Sequence, residues 1–139
     1  MSFLDVIKTV FTLSLLYSTI RISISIVIAG MGEMITERSG VLNIGVEGVM
    51  LMGAWAAAIG SYFSGSPWIG LLCAIGIALV IGSIFSNIAI TLKASQAIAG
   101  LAVTLLATGL SGYLLQIIFE HGGNTPRVPT LPDFHMAFL

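Results

Sequence analysis

Polar and charged side chains are concentrated in residues 32–54, between two long apolar runs. This stretch, GEMITERSGVLNIGVEGVMLMGA, holds four of the eleven formally charged side chains of the chain. An ionisable group at the centre of a membrane-spanning helix costs about 2.5–3.5 kcal/mol on insertion scales, so such groups are kept where they pair or meet water. This stretch is therefore where the chain could bind a polar solute or hold an ion pair.

Asn43 and Glu47 are the residues of this stretch that best suit contact with a polar solute. If a second apolar helix begins near residue 41, they lie four positions apart on one face within its first turns. Gly45 and Gly48 flank them and expose backbone. Transporters commonly build substrate sites from interrupted helices whose terminal amides and polar side chains converge on a cavity. We therefore predict that Asn43, Gly45, Glu47 and Gly48 form part of a substrate pathway.

A purely structural role is the alternative for the charges of this region. Four side chains are candidates for ion pairing: Arg21, Glu33, Glu37 and Arg38. Arg21 lies within the first apolar run, where a glutamate partner would lower its cost in the membrane. Arg38 could instead pair with Glu47, and the residues around Glu37 could simply form a loop between the first two spans.

The composition places most of the chain in lipid. Of its 139 residues, 57% are hydrophobic and only 8% are charged, with a mean hydropathy of +1.07, whereas a soluble domain usually carries about 25% charged residues. There is too little polar surface to face water, so we predict an integral membrane protein. The formal net charge of -1 and the lack of a basic run argue against a nucleic-acid partner.

Four apolar runs are long enough to cross a bilayer, which takes about 20 helical residues; they lie near 9–32, 41–63, 68–92 and 96–119. The last three have short connections, so consecutive helices should be antiparallel neighbours. The predicted fold is all-α, a polytopic transmembrane helical bundle of about four spans with an interrupted or re-entrant region near residues 33–48. Residues 1–119 form this bundle. The Pro- and Gly-rich residues 120–139 are expected to be an extramembrane loop leading to an element that the chain lacks.

Small residues recur every four positions in the last two spans. The third span has Gly70, Ala74, Ala78 and Gly82, and the fourth has Gly100, Thr104, Thr108 and Gly112. Such stripes let helix backbones approach closely, which drives helix association in lipid. We predict that the glycines and alanines pack helices. For Thr104 and Thr108 the alternative to packing is a place on the transport path.

The sequence carries no recognisable catalytic or metal-binding motif. It has no phosphate-binding G-x-x-x-x-G-K-[ST] loop, no G-x-S-x-G elbow and no H-E-x-x-H helix. His121 and His135 stand fourteen residues apart without metal-ligand spacing. We predict that the chain is not an enzyme and binds no metal or cofactor of its own.

The segment ERSGVLNIGVEG, residues 37–48, closely resembles the glycine-rich signature of the membrane permease subunits of bacterial ABC importers. Within that superfamily it is most similar to the purine nucleoside and simple-sugar branch. GLAVTLLATGLSGYL, residues 100–114, and GNTPRVPTLPDF, residues 123–134, resemble the same branch. The resemblance thus covers nearly the whole chain.

This resemblance implies a transmembrane permease component that forms part of the substrate translocation path in the bacterial cytoplasmic membrane. Its implied partners are a second permease subunit, cytoplasmic ATPase subunits that bind the ATP, and an extracytoplasmic substrate-binding lipoprotein. Members of the branch are much longer than this chain, so we expect the N-terminal portion of a permease that does not transport alone. The alternative is a truncated, non-transporting membrane protein that only packs against partner helices.

Overall fold

A computed structural model describes residues 13–119 and 127–129, and its regular elements are all helical in that part of the chain. In chain order they are α1 (Leu13–Arg38), α2 (Val46–Ser64), α3 (Pro67–Ser86), a π-helical turn (Asn87–Thr91) and α4 (Gln96–Phe119). Among the described residues, four helices are long and apolar enough to cross a membrane. The predicted all-α fold of about four spans is confirmed.

The chain divides into two compact units, residues 1–40 and 41–139, and α1 is the described helix of the first unit. It continues through Arg38, past the predicted end of the first span at residue 32. The interpretation of residues 33–38 as a loop is therefore wrong. The local sequence suits a helix there, and the helix ends only where Gly40 adopts a positive φ of 85°.

 

Residues 33–38 have the sequence EMITER, and Glu, Met and Arg are among the residues with the highest intrinsic helix propensity. Four of the six positions are therefore occupied by strong helix formers. The tertiary environment does not need to impose a helix here, because the local sequence already favours one.

In the second unit, α2 and α3 pack with their backbones in close contact. The short link between them turns at Gly65, whose φ is 66° and whose N–H donates to the Ser61 carbonyl at 3.0 Å. A Cβ atom placed on Gly70 would lie 2.6 Å from the Ala57 carbonyl oxygen, and one on Gly60 would lie 3.1 Å from the Gly70 Cα. Only glycine allows the two helices to approach this closely.

The buried residues of the second unit are mostly small. Met52 and Ala56 of α2 and Ala107 of α4 are buried, and Phe85, together with neighbouring alanines, forms a second cluster near the π-helical turn. Most large apolar side chains of the described residues instead point outward. That distribution suits a protein whose surroundings are lipid, where apolar side chains need no burial.

The third span ends in an irregular way. Beyond α3 the Asn87 side-chain Nδ2 donates to the Ser83 carbonyl at 2.9 Å, and the Leu92 N–H donates to the Asn87 carbonyl at 3.1 Å, which closes the π-helical turn. Lys93 follows with a positive φ of 50°. The span thus ends within one residue of the predicted position, and residues 93–95 connect it to α4.

Of residues 120–139, the predicted extramembrane loop, only 127–129 are described. There the Pro129 carbonyl accepts a hydrogen bond of 2.9 Å from the buried Ser61 hydroxyl near the end of α2. His121 and His135 lie outside the described residues. The division into residues 1–119 and 120–139 stays a prediction.

Candidate functional site

The non-helical residues between α1 and α2 are shaped by Asn43. Its Oδ1 accepts a hydrogen bond from the Gly45 N–H at 3.2 Å, and its carbonyl accepts one from the Val46 N–H at 3.4 Å. An asparagine that bonds its own backbone two residues on competes with helix formation. As a result α2 begins at Val46 instead of near residue 41, and the expectation that Asn43 and Glu47 share one helical face is wrong.

Gly45 and Gly48 bring this part of the chain against α4. A Cβ atom on Gly45 would lie 3.1 Å from the Gly100 carbonyl oxygen, and one on Gly48 would lie 2.8 Å from the Thr104 Cα. Conversely, a Cβ atom on Gly100 would lie 2.7 Å from the Gly45 nitrogen. The two segments therefore run side by side in the same direction, with backbone against backbone. The structure thus brings together Gly45, Gly48, Gly100 and Thr104.

The hydroxyl groups of the two predicted pathway threonines are bonded within α4. Thr104 Oγ1 donates to the Gly100 carbonyl at 3.2 Å, and Thr108 Oγ1 donates to the Thr104 carbonyl at 2.8 Å. Thr104 is half-buried beside Gly48, whereas Thr108 is exposed one turn further along. Each hydroxyl oxygen keeps lone pairs that can accept a hydrogen bond from a solute.

Glu47 lies in the first turn of α2 and is exposed. A carboxylate in the first turn of a helix interacts favourably with the positive end of the helix dipole, by about 0.3–1 kcal/mol at the surface. Glu47 directly precedes Gly48, whose backbone lies against Thr104 of α4. The first turn of α2 thus carries a charged side chain next to the close contact between α2 and α4.

The four predicted ion-pairing residues all lie on α1. Arg21, Glu37 and Arg38 are exposed, and Glu33 is half-buried, with its carboxylate accepting a hydrogen bond of 3.3 Å from Thr36. Arg21 is twelve positions from Glu33, which is about 18 Å along a helix. Neighbouring Glu37 and Arg38 point in different directions. Pairing of these side chains stays a prediction.

The predicted packing residues fall into three groups. Gly70 and Gly100 lie at the close backbone contacts described above. Ala74 and Ala78 are half-buried on α3. Within the described part of the chain, a Cβ atom on Gly82 or Gly112 would meet no atom within 4 Å, so the four-residue repeat alone does not tell which small residues are in contact.

The sequence patterns did not indicate the roles of two side chains in the second unit, Gln96 and Trp55. Gln96, at the start of α4, accepts a hydrogen bond from the Leu42 N–H at its Oε1, at a distance of 2.7 Å. Trp55, half-buried on α2, has a buried indole Nε1 that meets no acceptor among the described residues. A side-chain amide or an indole N–H in an apolar span indicates that a hydrogen-bond partner is needed. It does not indicate which residue that partner is, because the partner can lie far away in sequence.

An apolar groove of about 670 Å³ lies between α3 and α4. Its walls include Ile81, Ile84, Val103 and Leu106, and Ser95 supplies a polar group at one end. None of the six predicted pathway residues is among the described residues that line it. The groove therefore differs from the polar crossing of α2 and α4 and suits an apolar occupant.

Known proteins match the chain over most of its length. The family described as branched-chain amino acid transport system / permease component matches residues 15–139. A provisionally named glucose ABC transporter permease protein of Haloferax volcanii is 38% identical over 103 residues, which is 74% of this chain and 31% of that protein. The guanosine ABC transporter permease protein of Bacillus subtilis is 30% identical over 118 residues, or 81% and 37%.

A third relative is the nucleoside ABC transporter permease protein of Lactococcus lactis, which is 28% identical over 128 residues, or 88% of this chain and 39% of that protein. The chain thus spans less than two fifths of the length of these relatives. No solved structure matches it. The predicted resemblance to nucleoside and sugar permeases is confirmed, and with four helices able to span a bilayer the chain is a multi-pass protein of the cell membrane.

Proposed function

Because this chain belongs to the family of branched-chain amino acid transport system permease components, we propose that it forms part of the substrate translocation path of an ABC importer. The observation that carries the proposal is the break before α2: Asn43 bonds to Gly45, which lies against Gly100, and Glu47 directly precedes Gly48, which lies against Thr104. A non-helical segment inside a membrane protein is tolerated where protein or a water-filled cavity covers it.

The proposed substrates are nucleosides or related simple sugars. Relatives carry the names of nucleoside, guanosine and glucose permeases, and all these solutes are neutral and rich in hydroxyl groups. Such solutes are recognised through hydrogen bonds. The Asn43 amide, the Glu47 carboxylate and the Thr104 hydroxyl oxygen supply donors and acceptors of the required kind.

The proposed importer contains more than this chain. A second permease subunit would complete the path, an extracytoplasmic substrate-binding lipoprotein would deliver the solute, and cytoplasmic ATPase subunits would bind and hydrolyse ATP. On this proposal the chain is not itself an enzyme and binds no cofactor. Its contribution is the polar lining and the packing that holds that lining between membrane-spanning helices.

The test is uptake of radiolabelled guanosine and glucose by cells that lack their own permease and express the proposed partners. The 139-residue chain is compared with a full-length permease that carries the same residues. We expect Asn43→Ala and Glu47→Gln to lower uptake by about tenfold each in the competent form. The first removes a hydrogen-bonding side chain, and the second replaces a charged acceptor by a weaker neutral one. Immunoblots of membranes check that each variant is present in equal amount.

Asn87→Ala is the matched control, since the Asn87 amide bonds to the Ser83 carbonyl of its own helix. Uptake by this variant should stay within about twofold of that of the unsubstituted permease, because the lost hydrogen bond does not involve the solute. Unchanged uptake in both the Asn43 and Glu47 variants would contradict the proposed path. If neither form of the protein supports uptake, the chain is instead a non-transporting membrane protein that packs against partner helices.

A further inference from the structure

Backbone N–H groups that leave a helix inside a membrane need other partners, because the hydrocarbon offers none. In the segment before α2, side chains accept hydrogen bonds from two of these groups. The Gly45 N–H bonds to the Asn43 side chain, whereas the Leu42 N–H bonds to the Gln96 Oε1 at 2.7 Å. Gln96 lies 54 positions away in sequence, so this second bond ties the non-helical segment to another helix.

The bond to Gln96 lies at one end of a series of contacts between the two segments. Leu42 meets Gln96, Gly45 meets Gly100, and Gly48 meets Thr104, in the same order along both. The glycine contacts exclude side chains but have no directional preference. The hydrogen bond is directional, since it weakens steeply when its angle departs from linearity. It therefore sets how the segment is aligned along α4.

We propose that Gln96 is a positioning residue of the substrate path, which rests on the function proposed above. Its amide oxygen holds Leu42 against the start of α4 and so fixes where Asn43 and Glu47 stand relative to Thr104. Gln96 does not itself need to touch the solute. The bond also links the segment to α4, so that a movement of this helix displaces the polar residues of the break.

The first test measures the position of the segment without requiring transport. Val41, which is half-buried and packs against the cluster of Phe85, Ala89 and Ala99, is replaced by cysteine in a Cys73→Ser background. Cys73 is the single cysteine of the chain. A maleimide applied to permeabilised vesicles, where it reaches both faces of the membrane, therefore reacts with the cysteine at position 41 alone. The 139-residue form and a full-length form whose other cysteines are replaced by serine are both labelled.

We expect Gln96→Met to raise the labelling rate at position 41 by about fivefold, because this side chain has a similar length but no oxygen to accept the Leu42 N–H. Gln96→Glu keeps an acceptor oxygen at the same place and should leave the rate unchanged. A cysteine introduced at Ser66, in the link between α2 and α3, serves as the control and should label equally in all variants. Equal labelling at position 41 in both Gln96 variants overturns the inference.

The second test is uptake at low and at saturating solute. Gln96→Met should raise the apparent KM by about fivefold, with Gln96→Glu restoring the original value, since a displaced site binds its solute more weakly. A normal KM in Gln96→Met, together with loss of uptake in Asn43→Ala, overturns the role of Gln96 and leaves the proposed function intact. Normal uptake in the Asn43, Glu47 and Gln96 variants overturns both, while the labelling still reports on the contact.

Discussion

Gly100→Ala is expected to lower the free energy of unfolding of the protein by about 1–3 kcal/mol, whereas Gly109→Ala on the same helix is expected to raise it by up to about 1 kcal/mol. The new methyl group at position 100 would lie 2.7 Å from the Gly45 nitrogen and 3.0 Å from the Ile44 carbonyl carbon. These are backbone atoms, which cannot move aside as the end of a flexible side chain can. At Gly109 a Cβ atom meets nothing within 4 Å.

The same pair of variants separates packing from helix propensity. Alanine favours the helical state over glycine equally at both positions, so a difference in sign between them reports the contact between α4 and the segment before α2. The measurement is reversible unfolding of the detergent-solubilised protein by increasing SDS, followed by the near-ultraviolet circular dichroism of its aromatic residues. Equal effects at positions 100 and 109 would contradict the close contact.

Loss of uptake should accompany the loss of stability at position 100. Because the methyl group would push Gly45 away from α4, it would also shift Asn43 and Glu47, which lie two positions before and after Gly45. We expect uptake to fall by about tenfold or more, the factor that corresponds to 1.4 kcal/mol. Gly109→Ala should keep normal uptake, which shows that an alanine on this helix is not harmful in itself.

Gly70→Ala is the second substitution with a large expected effect. A Cβ atom there would lie 2.6 Å from the Ala57 carbonyl oxygen and 3.0 Å from the Ser61 Cβ, so α2 and α3 would have to separate. We expect a loss of about 1–3 kcal/mol in the free energy of unfolding, as for other overpacked sites. Gly76, on the same helix with no atom within 4 Å of its Cβ position, is the matched control.

Cross-linking gives an independent measure of this contact. Cysteines introduced at Ala57 and Ala74 in a Cys73→Ser background can be oxidised to a disulfide only where their Cα atoms come within about 7 Å. The yield with glycine at position 70 is compared with the yield after Gly70→Ala and after Gly76→Ala. A lower yield for both alanine variants, or for neither, would show that the Gly70 contact does not hold the helices together.

The number of spans could be predicted from the sequence because the requirements for a membrane-spanning helix are met within one continuous stretch of residues. A helix that crosses the hydrocarbon must satisfy its own backbone and present about 20 apolar residues, and both requirements are visible in a continuous stretch such as residues 96–119. The break after α1 is also local, since Gly40 readily takes the positive φ that ends the helix. The signature in residues 37–48 was sufficient to identify the family.

The start of α2 could not be predicted in this way. Spacing suggested a helix from residue 41, but Asn43 bonds its own backbone and delays the helix to Val46. The competition between a side-chain and a main-chain partner is decided by small differences in free energy. The neighbouring Leu42 N–H is satisfied by Gln96 from 54 positions away, a partner that no local pattern indicates.

The sequence by itself thus determined the membrane setting, the helical spans and the family of the chain, because each rests on composition or on a contiguous pattern. Only the tertiary structure decided which small residues are in contact. Gly70 and Gly100 meet backbone atoms, whereas Gly82 and Gly112, which belong to the same four-residue repeats, meet none among the described residues. A repeat of small residues shows where a second helix could approach closely. Whether a helix does pack there depends on the arrangement of the other helices.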